Sequence, residues 1–193
     1  AIKPGIVREF NKTTGITFSG NDATFQLTDS ESLMEFAKLC NEGGFAYSGA
    51  KVTANITFDD DTYDWVSVSN FTEGLTFDGG NHTITGLTDG LFGKANAYIH
   101  NLTLNSTVER AAHESDGVGL FAGIFEGTIA NCTAKGSLVV NGSGTSGYNG
   151  FGGVIGEVTG TTTFENVVNE ATVTVDGVKY FTVDSCFFTP YQY

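Results

Sequence analysis

Carboxylates crowd one short stretch of this chain, Asp59-Asp60-Asp61 with Asp64 three residues on. Carboxylate oxygens are the hard donors that calcium prefers, so these four residues are the candidate metal ligands. The more ordinary reading of such a run is a solvated polar corner. Asp78 is a candidate acid or base, but it stands beside Gly79-Gly80, where an Asp side chain commonly fixes a tight turn. His82 has no His or Cys partner at ligand spacing, which favours a packing role. His113, with Glu109, Arg110, Glu114 and Asp116 close in sequence, is the densest mixed-charge cluster. It brings no nucleophile with a nearby oxyanion site. The expectation is therefore no catalytic residue, no resident metal beyond the weak calcium candidate, and no cofactor.

Asparagine offers a different chemistry. Asn11, Asn55, Asn70, Asn81, Asn101, Asn105, Asn131 and Asn141 each begin Asn-x-Ser/Thr. An exposed sequon in a secreted protein is an acceptor for glycan. Asn70, Asn105 and Asn141 fall at turns or insertions and are the glycosylation candidates. Asn81, Asn101 and Asn131 belong to a repeated pattern that itself requires Asn and Thr, so they are read as packed repeat positions.

The three cysteines, Cys40, Cys132 and Cys186, are an odd number and forbid a complete disulfide framework. Cys132 occupies a repeat slot that Leu102 and Val167 fill elsewhere, which makes it a small buried hydrophobe. A contact between Cys132 and Cys186 in neighbouring coils is left open.

Bulk composition narrows the partners. The net charge is −13 with nine basic residues. Such a surface repels phosphate backbones, so nucleic-acid binding is not expected. Charged residues make up 16%, Gly numbers 26 and Pro 2. Together with 16 Phe and 7 Tyr, this describes a β-rich chain with tight corners rather than glycine-rich disorder. No apolar run is long enough to span a bilayer, so no membrane insertion is expected. The chain opens on Ala1 rather than Met, as a cleaved secreted protein or a trimmed terminus would.

The elements that must hold these groups repeat. Gly90-Leu91-Phe92-Gly93 precedes Ile99-His100-Asn101-Leu102-Thr103-Leu104. Gly119-Leu120-Phe121-Ala122-Gly123 precedes Ile129-Ala130-Asn131-Cys132-Thr133-Ala134. Gly153-Val154-Ile155-Gly156 precedes Phe164-Glu165-Asn166-Val167-Val168. Leu91, Leu120 and Val154 are 29 and 34 residues apart, and Asn101, Asn131 and Asn166 are 30 and 35 apart. One copy cannot bury its own apolar face, so the copies must stack as a solenoid. Two stretches, 105–117 and 141–150, interrupt the pattern at the same stage and are read as insertions emerging on one side.

One helix is expected, at about 29–42. Thr28 and Glu31 have capping-box spacing, Leu33, Phe36, Ala37 and Cys40 form one apolar stripe, and Gly43-Gly44 ends it. Lys51 to Phe58 alternates as a single strand. The organisation expected is an extended segment over 1–27 and one domain over 28–193, with coils from about 51 to the C-terminus. The helix should cap the N-terminal coil end.

Leu33 to Asn41, Lys51 to Phe58, Trp65 and Phe77-Asp78-Gly79-Gly80-Asn81-His82-Thr83-Ile84-Thr85-Gly86-Leu87, followed by Gly90-Leu91-Phe92-Gly93, resemble the opening of GLUG-motif proteins. The resemblance covers about residues 28–175. It implies an all-β, right-handed parallel β-helix of the kind found on microbial surface proteins and adhesins. It implies an extracellular or cell-surface location and a structural or adhesive role, and carries over no catalytic residue. The alternative is a carbohydrate-binding or polysaccharide-cleaving β-helix, since that fold also includes lyases and hydrolases. Against cleavage, Arg8 and Arg110 are the only arginines, and the paired carboxylates a glycosidase needs do not recur. Exposed aromatic platforms along one face would favour sugar binding. The aromatic C-terminal tail and extended N-terminus suggest self-association, head to tail or by β-strand addition, beside contacts with surface glycans.

Overall fold

The computed structural model describes residues 23–111, 117–141, 150–180 and the backbone of 186–187. Strands dominate, with one helix. In chain order these are β1 (Thr24–Leu27), α1 (Ser30–Asn41), β2 (Gly49–Val52), β3 (Ile56–Thr57), β4 (Phe71–Thr85), β5 (Phe92–Ala111), β6 (Val118–Gly119), β7 (Ala122–Asn141), β8 (Gly150–Gly152), β9 (Ile155–Asn169), β10 (Thr172–Val175), β11 (Val178–Tyr180) and β12 (Cys186–Phe187). A nine-stranded sheet has the order β1-β2-β4-β5-β7-β10-β11, with β3 also paired to β4 and β9 to β7. A three-stranded sheet has the order β12-β8-β6.

Pairing is mostly parallel and joins equal stages of the sequence repeat. Ile99 sits opposite Ile129, and Ile129 opposite Phe164. Inward positions therefore continue from run to run. Phe77, Ile99 and Ile129 are fully buried, as are Leu91, Leu120 and Val154. Backbone bonds join the steps that carry the second set: Leu91 N–H donates to the Leu120 carbonyl at 3.0 Å, and Phe121 N–H, next to Leu120, to the Val154 carbonyl at 2.9 Å. The expected stacking of these three residues is what is seen. Leu102 and Cys132 are likewise buried, whereas Val167 is only partly so. It lies on β9, whose described pairing is to β7 alone, so no described strand pairs along its far edge.

The long runs bend at the repeated asparagines. Asn81, Asn101, Asn131 and Asn166 all have positive φ, from 52° to 61°. Asn tolerates that left-handed region better than other side-chain-bearing residues, so it marks each corner. The corners are linked through their amides. Asn166 Nδ2 donates to Asn131 Oδ1 at 3.0 Å, and Asn131 Nδ2 to Asn101 Oδ1 at 3.5 Å. Gly127 serves a close approach instead: its φ is 115°, and a Cβ there would overlap the Ala97 carbonyl of the neighbouring run.

α1 packs as its stripe predicts. Leu33, Phe36, Ala37 and Cys40 are all buried. The Phe36 ring lies 5.6 Å from Phe71, 5.7 Å from Phe77 and 6.2 Å from Phe25. The capping box, however, is shifted by one residue. Asp29 is the N-cap and accepts from Ser32 N–H at 2.8 Å, while Ser32 Oγ accepts from Asp29 N–H at 3.1 Å. The aspartate carboxylate is the stronger acceptor for helix N-terminal donors, and it displaces the Thr28–Glu31 pair.

Four further expectations are corrected. Lys51 to Phe58 is not one strand but two, because its partner β4 is itself irregular between Asp78 and His82, at the Asn81 corner. Residues 105–111 are not insertion but the end of β5, paired with β7 through Ala111 opposite Asn141. The sheets are mixed rather than wholly parallel. β10 and β11 form an antiparallel hairpin across Asp176 and Gly177, both at positive φ, and β12 pairs antiparallel with β8. β1, from the segment expected to precede the domain, pairs in parallel with β2.

Candidate functional site

Register assembles a polar cluster that no local motif announces. Lys51 lies opposite Asp78, and Asp78 opposite His100. Tyr98, two residues before His100, shares its face of the strand. Their rings stack with centroids 4.5 Å apart and planes 13° from parallel. Tyr98 remains 42% exposed. Asp78 Oδ2 is 3.6 Å from Lys51 Nζ, and Oδ1 is 3.8 Å from His100 Nδ1. Asn101 Nδ2 lies 2.7 Å from His100 Nδ1. Lys51, Asp78 and His100 border a cleft of about 410 Å³, and Tyr98 stands next to it, opposite Thr76 of its lining. Gly49 and Gly74 contribute no side chain to it, and Ser48 and Thr76 add hydroxyls.

Asp78 also keeps the turn role expected of it, accepting the Gly80 N–H at 2.8 Å. Partial burial works against its charged form. The Gly80 N–H, His100, Lys51 and the Asn101 amide together outweigh that, so its carboxyl lies below the usual range. A carboxylate so stabilised is a fixed hydrogen-bond acceptor and a poor proton carrier near neutrality. The arrangement is suited to binding.

A second cleft, of about 580 Å³, borders Trp65, Asp89, Lys94 and Arg110. Its polar groups hold one another. Arg110 Nη1 donates to Asp89 Oδ2 at 2.8 Å, Asp89 Oδ1 accepts the Gly90 N–H at 2.7 Å, and the Gly90 carbonyl accepts both Trp65 Nε1 and Ser67 Oγ. This is a joint that ties three parts of the chain.

The other candidates disperse. Asp59, Asp60, Asp61 and Asp64 are exposed, and Asp59 Oδ1 accepts the Thr62 N–H to shape its own turn. Among the described residues no group of three or more His, Cys, Asp or Glu converges as metal ligands would. His82 is partly buried opposite Leu102. In the mixed-charge cluster, Arg110 turns to Asp89 and Glu109 Oε1 accepts from Asn141 Nδ2 at 3.3 Å. His113, Glu114 and Asp116 lie outside the described residues, as does the side chain of Cys186. Cys40 and Cys132 are buried free thiols. Burial pushes Cys40 up to about 12 and Cys132 up to about 11.

Asn70, Asn105 and Asn141 are all exposed. Asn81 and Asn131 are exposed as well, contrary to the packed positions expected for repeat asparagines. Their side chains sit on the outside of the corners, whereas Asn101 at the same kind of corner is partly buried.

Sequence reading missed Lys51, Tyr98 and His100. The signal was the alternation along β5, where Ala97 and Ile99 point inward and Tyr98 and His100 must point out.

Comparison with known proteins adds little. No family model matches the chain, and no curated protein does. A crystal structure of a Bacteroides ovatus protein described as a putative immunoglobulin A1 protease is similar over 84% of this chain and 80% of that one, at 13% identity and a TM-score of 0.39. So partial a likeness carries no argument about fold or activity.

Proposed function

We propose that this chain is a short right-handed parallel β-helix of the GLUG-motif kind, and that it serves as a non-catalytic structural or adhesive module outside the cell. The observation that carries this reading is the run-to-run ladder. Matched residues of β4, β5, β7 and β9 pair in parallel, and the corner asparagines of three runs bond in series. Repeats stacked this way form a rigid scaffold whose outer faces are free to vary. Right-handedness follows the general rule for parallel crossovers. In this reading the exposed Asn70, Asn105 and Asn141 are glycan acceptors and the partners are other copies of the chain and surface glycans. The ends of the sheet support self-association, since β1 pairs with β2 alone among the described residues. Such an edge accepts an added strand. No helix among the described residues is long and apolar enough to cross a membrane.

Light scattering of the purified full chain across a concentration series, with negative-stain imaging of the same samples, tests this. Growing assemblies that elongate along one axis are expected. A monomer at every concentration overturns the self-association. The exposed Tyr98 on its His100 partner favours a second reading, in which the same scaffold binds carbohydrate.

A further inference from the structure

We infer that the cleft beside Lys51, Asp78, Tyr98 and His100 is a binding site for an uncharged pyranose sugar. The inference rests on the second reading above and gives it a location and a ligand class.

Three features support it. The first is the ring. Among the described residues Tyr98 is the one aromatic that stands out as a large exposed hydrophobic. It is held in place by a near-parallel imidazole at 4.5 Å. An exposed ring fixed in one orientation loses little freedom when a ligand covers it, and the C–H face of a pyranose is flat and apolar enough to lie against it. The second is the polar set. Ligand sites combine an apolar surface with a few convergent polar groups that fix orientation. Here the acceptor is an ionised carboxylate, and charge-assisted bonds from sugar hydroxyls to it are the strong kind. Asp78 already takes the Gly80 N–H and the Asn101 amide, and a carboxylate's about four acceptor sites leave room for a ligand hydroxyl beside them. Lys51 Nζ, half-exposed beside it, supplies a donor to the same ligand. The third is the hollow. Gly49 and Gly74 line it without side chains. At Gly49 the missing Cβ is also forced, since one would overlap the Thr76 carbonyl.

Charge selects among sugars. Lys51 is the ammonium beside Asp78, so the pair leaves no net positive charge for a uronate. A chain at −13 repels an acidic polymer further.

The test titrates the full chain with methyl β-glucopyranoside, methyl β-galactopyranoside, methyl α-mannopyranoside and galacturonate, each to tens of millimolar. Backbone amide shifts are followed by NMR. A neutral glycoside is expected to shift the amides of Tyr98, His100 and Asp78 with a millimolar Kd. Tyr98→Ala and Lys51→Ala should each weaken it at least fivefold. Both residues are outward-facing, so an unchanged melting temperature confirms that the fold is kept. Neutral-sugar binding with unchanged affinity in both variants overturns this site and leaves the carbohydrate-binding reading standing. Binding of galacturonate alone overturns the uncharged class. No binding by any of the four overturns both the site and the reading.

Discussion

Replacing Asn131 by alanine and by glycine separates the two jobs of a corner asparagine, and the comparison turns on a sign. Asn131 has φ 52°, accepts one side-chain hydrogen bond from Asn166 at 3.0 Å, and donates a longer one to Asn101 at 3.5 Å. Both variants lose those bonds. At an exposed site their net worth lies near the low end of roughly 0.5–1.5 kcal/mol each, or about 1 kcal/mol together. Alanine must also hold a left-handed backbone, at roughly 1–2 kcal/mol. Glycine avoids that strain but loses roughly 0.5–1 kcal/mol of chain entropy. Asn131→Ala should therefore cost about 2–3 kcal/mol, and Asn131→Gly about 0.5–1 kcal/mol less. In an ordinary strand position the order is reversed. Thr133, two residues on and within the extended part of β7, is the internal control, and there alanine should be the more stable. Urea unfolding followed by circular dichroism reads the difference. With a slope of about 2 kcal/mol per molar, Asn131→Ala should lower the midpoint by about 1 M. An alanine variant at 131 as stable as the glycine variant would show that the corner backbone does not decide why Asn is there.

Phe36→Ala should destabilise by about 3–5 kcal/mol, because a fully buried ring that bridges β1 and β4 leaves a cavity. A change within error in urea unfolding would remove α1 as a packed cap. Cys132, 1% exposed and with its thiol pushed up to about 11 by burial, should resist thiol reagents in the native state and react on unfolding. Peptide-resolved mass spectrometry separates it from Cys40 and Cys186, and rapid native labelling at Cys132 would mean the register is wrong. Asp78 has a folded-state carboxyl held below its unfolded value. Its contribution is therefore complete above the unfolded pKa, about 3.9, and is lost as pH falls through the folded one. The stability gap between wild type and Asp78→Asn should narrow below about pH 4. A gap constant from neutrality to strong acid would show that the charge contributes nothing there.

The stacking was legible because its signal is periodic and chemically strict. Leu91, Leu120 and Val154 recur behind glycine, and backbone hydrogen bonds join the three steps that carry them. The asparagines were visible in the same way, but their reason was not. Position in a repeat says that Asn101 and Asn131 are required. It does not distinguish a packed amide from an outward one at positive φ, because the backbone angle leaves no separate trace in the sequence. The break between β2 and β3 was hidden for a related reason. Val52 to Ile56 alternates well enough for one strand, and only the irregular partner β4 shows why it divides. The capping box was a competition between two overlapping local solutions, and the charged acceptor at Asp29 won over Thr28.

The cleft was illegible because of a change in spacing. From β5 to β7 the register holds at thirty residues, His100 facing Ala130. From β4 to β5 it is shorter and drifts: Phe71 faces Ala95, Asp78 faces His100, and His82 faces Leu102. The later spacing, applied backwards from His100, leads to Asn70, which is exposed and precedes β4. Asp78 is thereby passed over, and no pair is visible at all. The spacing is already shorter at Phe71, and it shortens further where β4 and β5 fall out of step between Phe71 and Leu75 and again between Asp78 and His82. Such irregularities re-aim side chains, and only the paired strands reveal them.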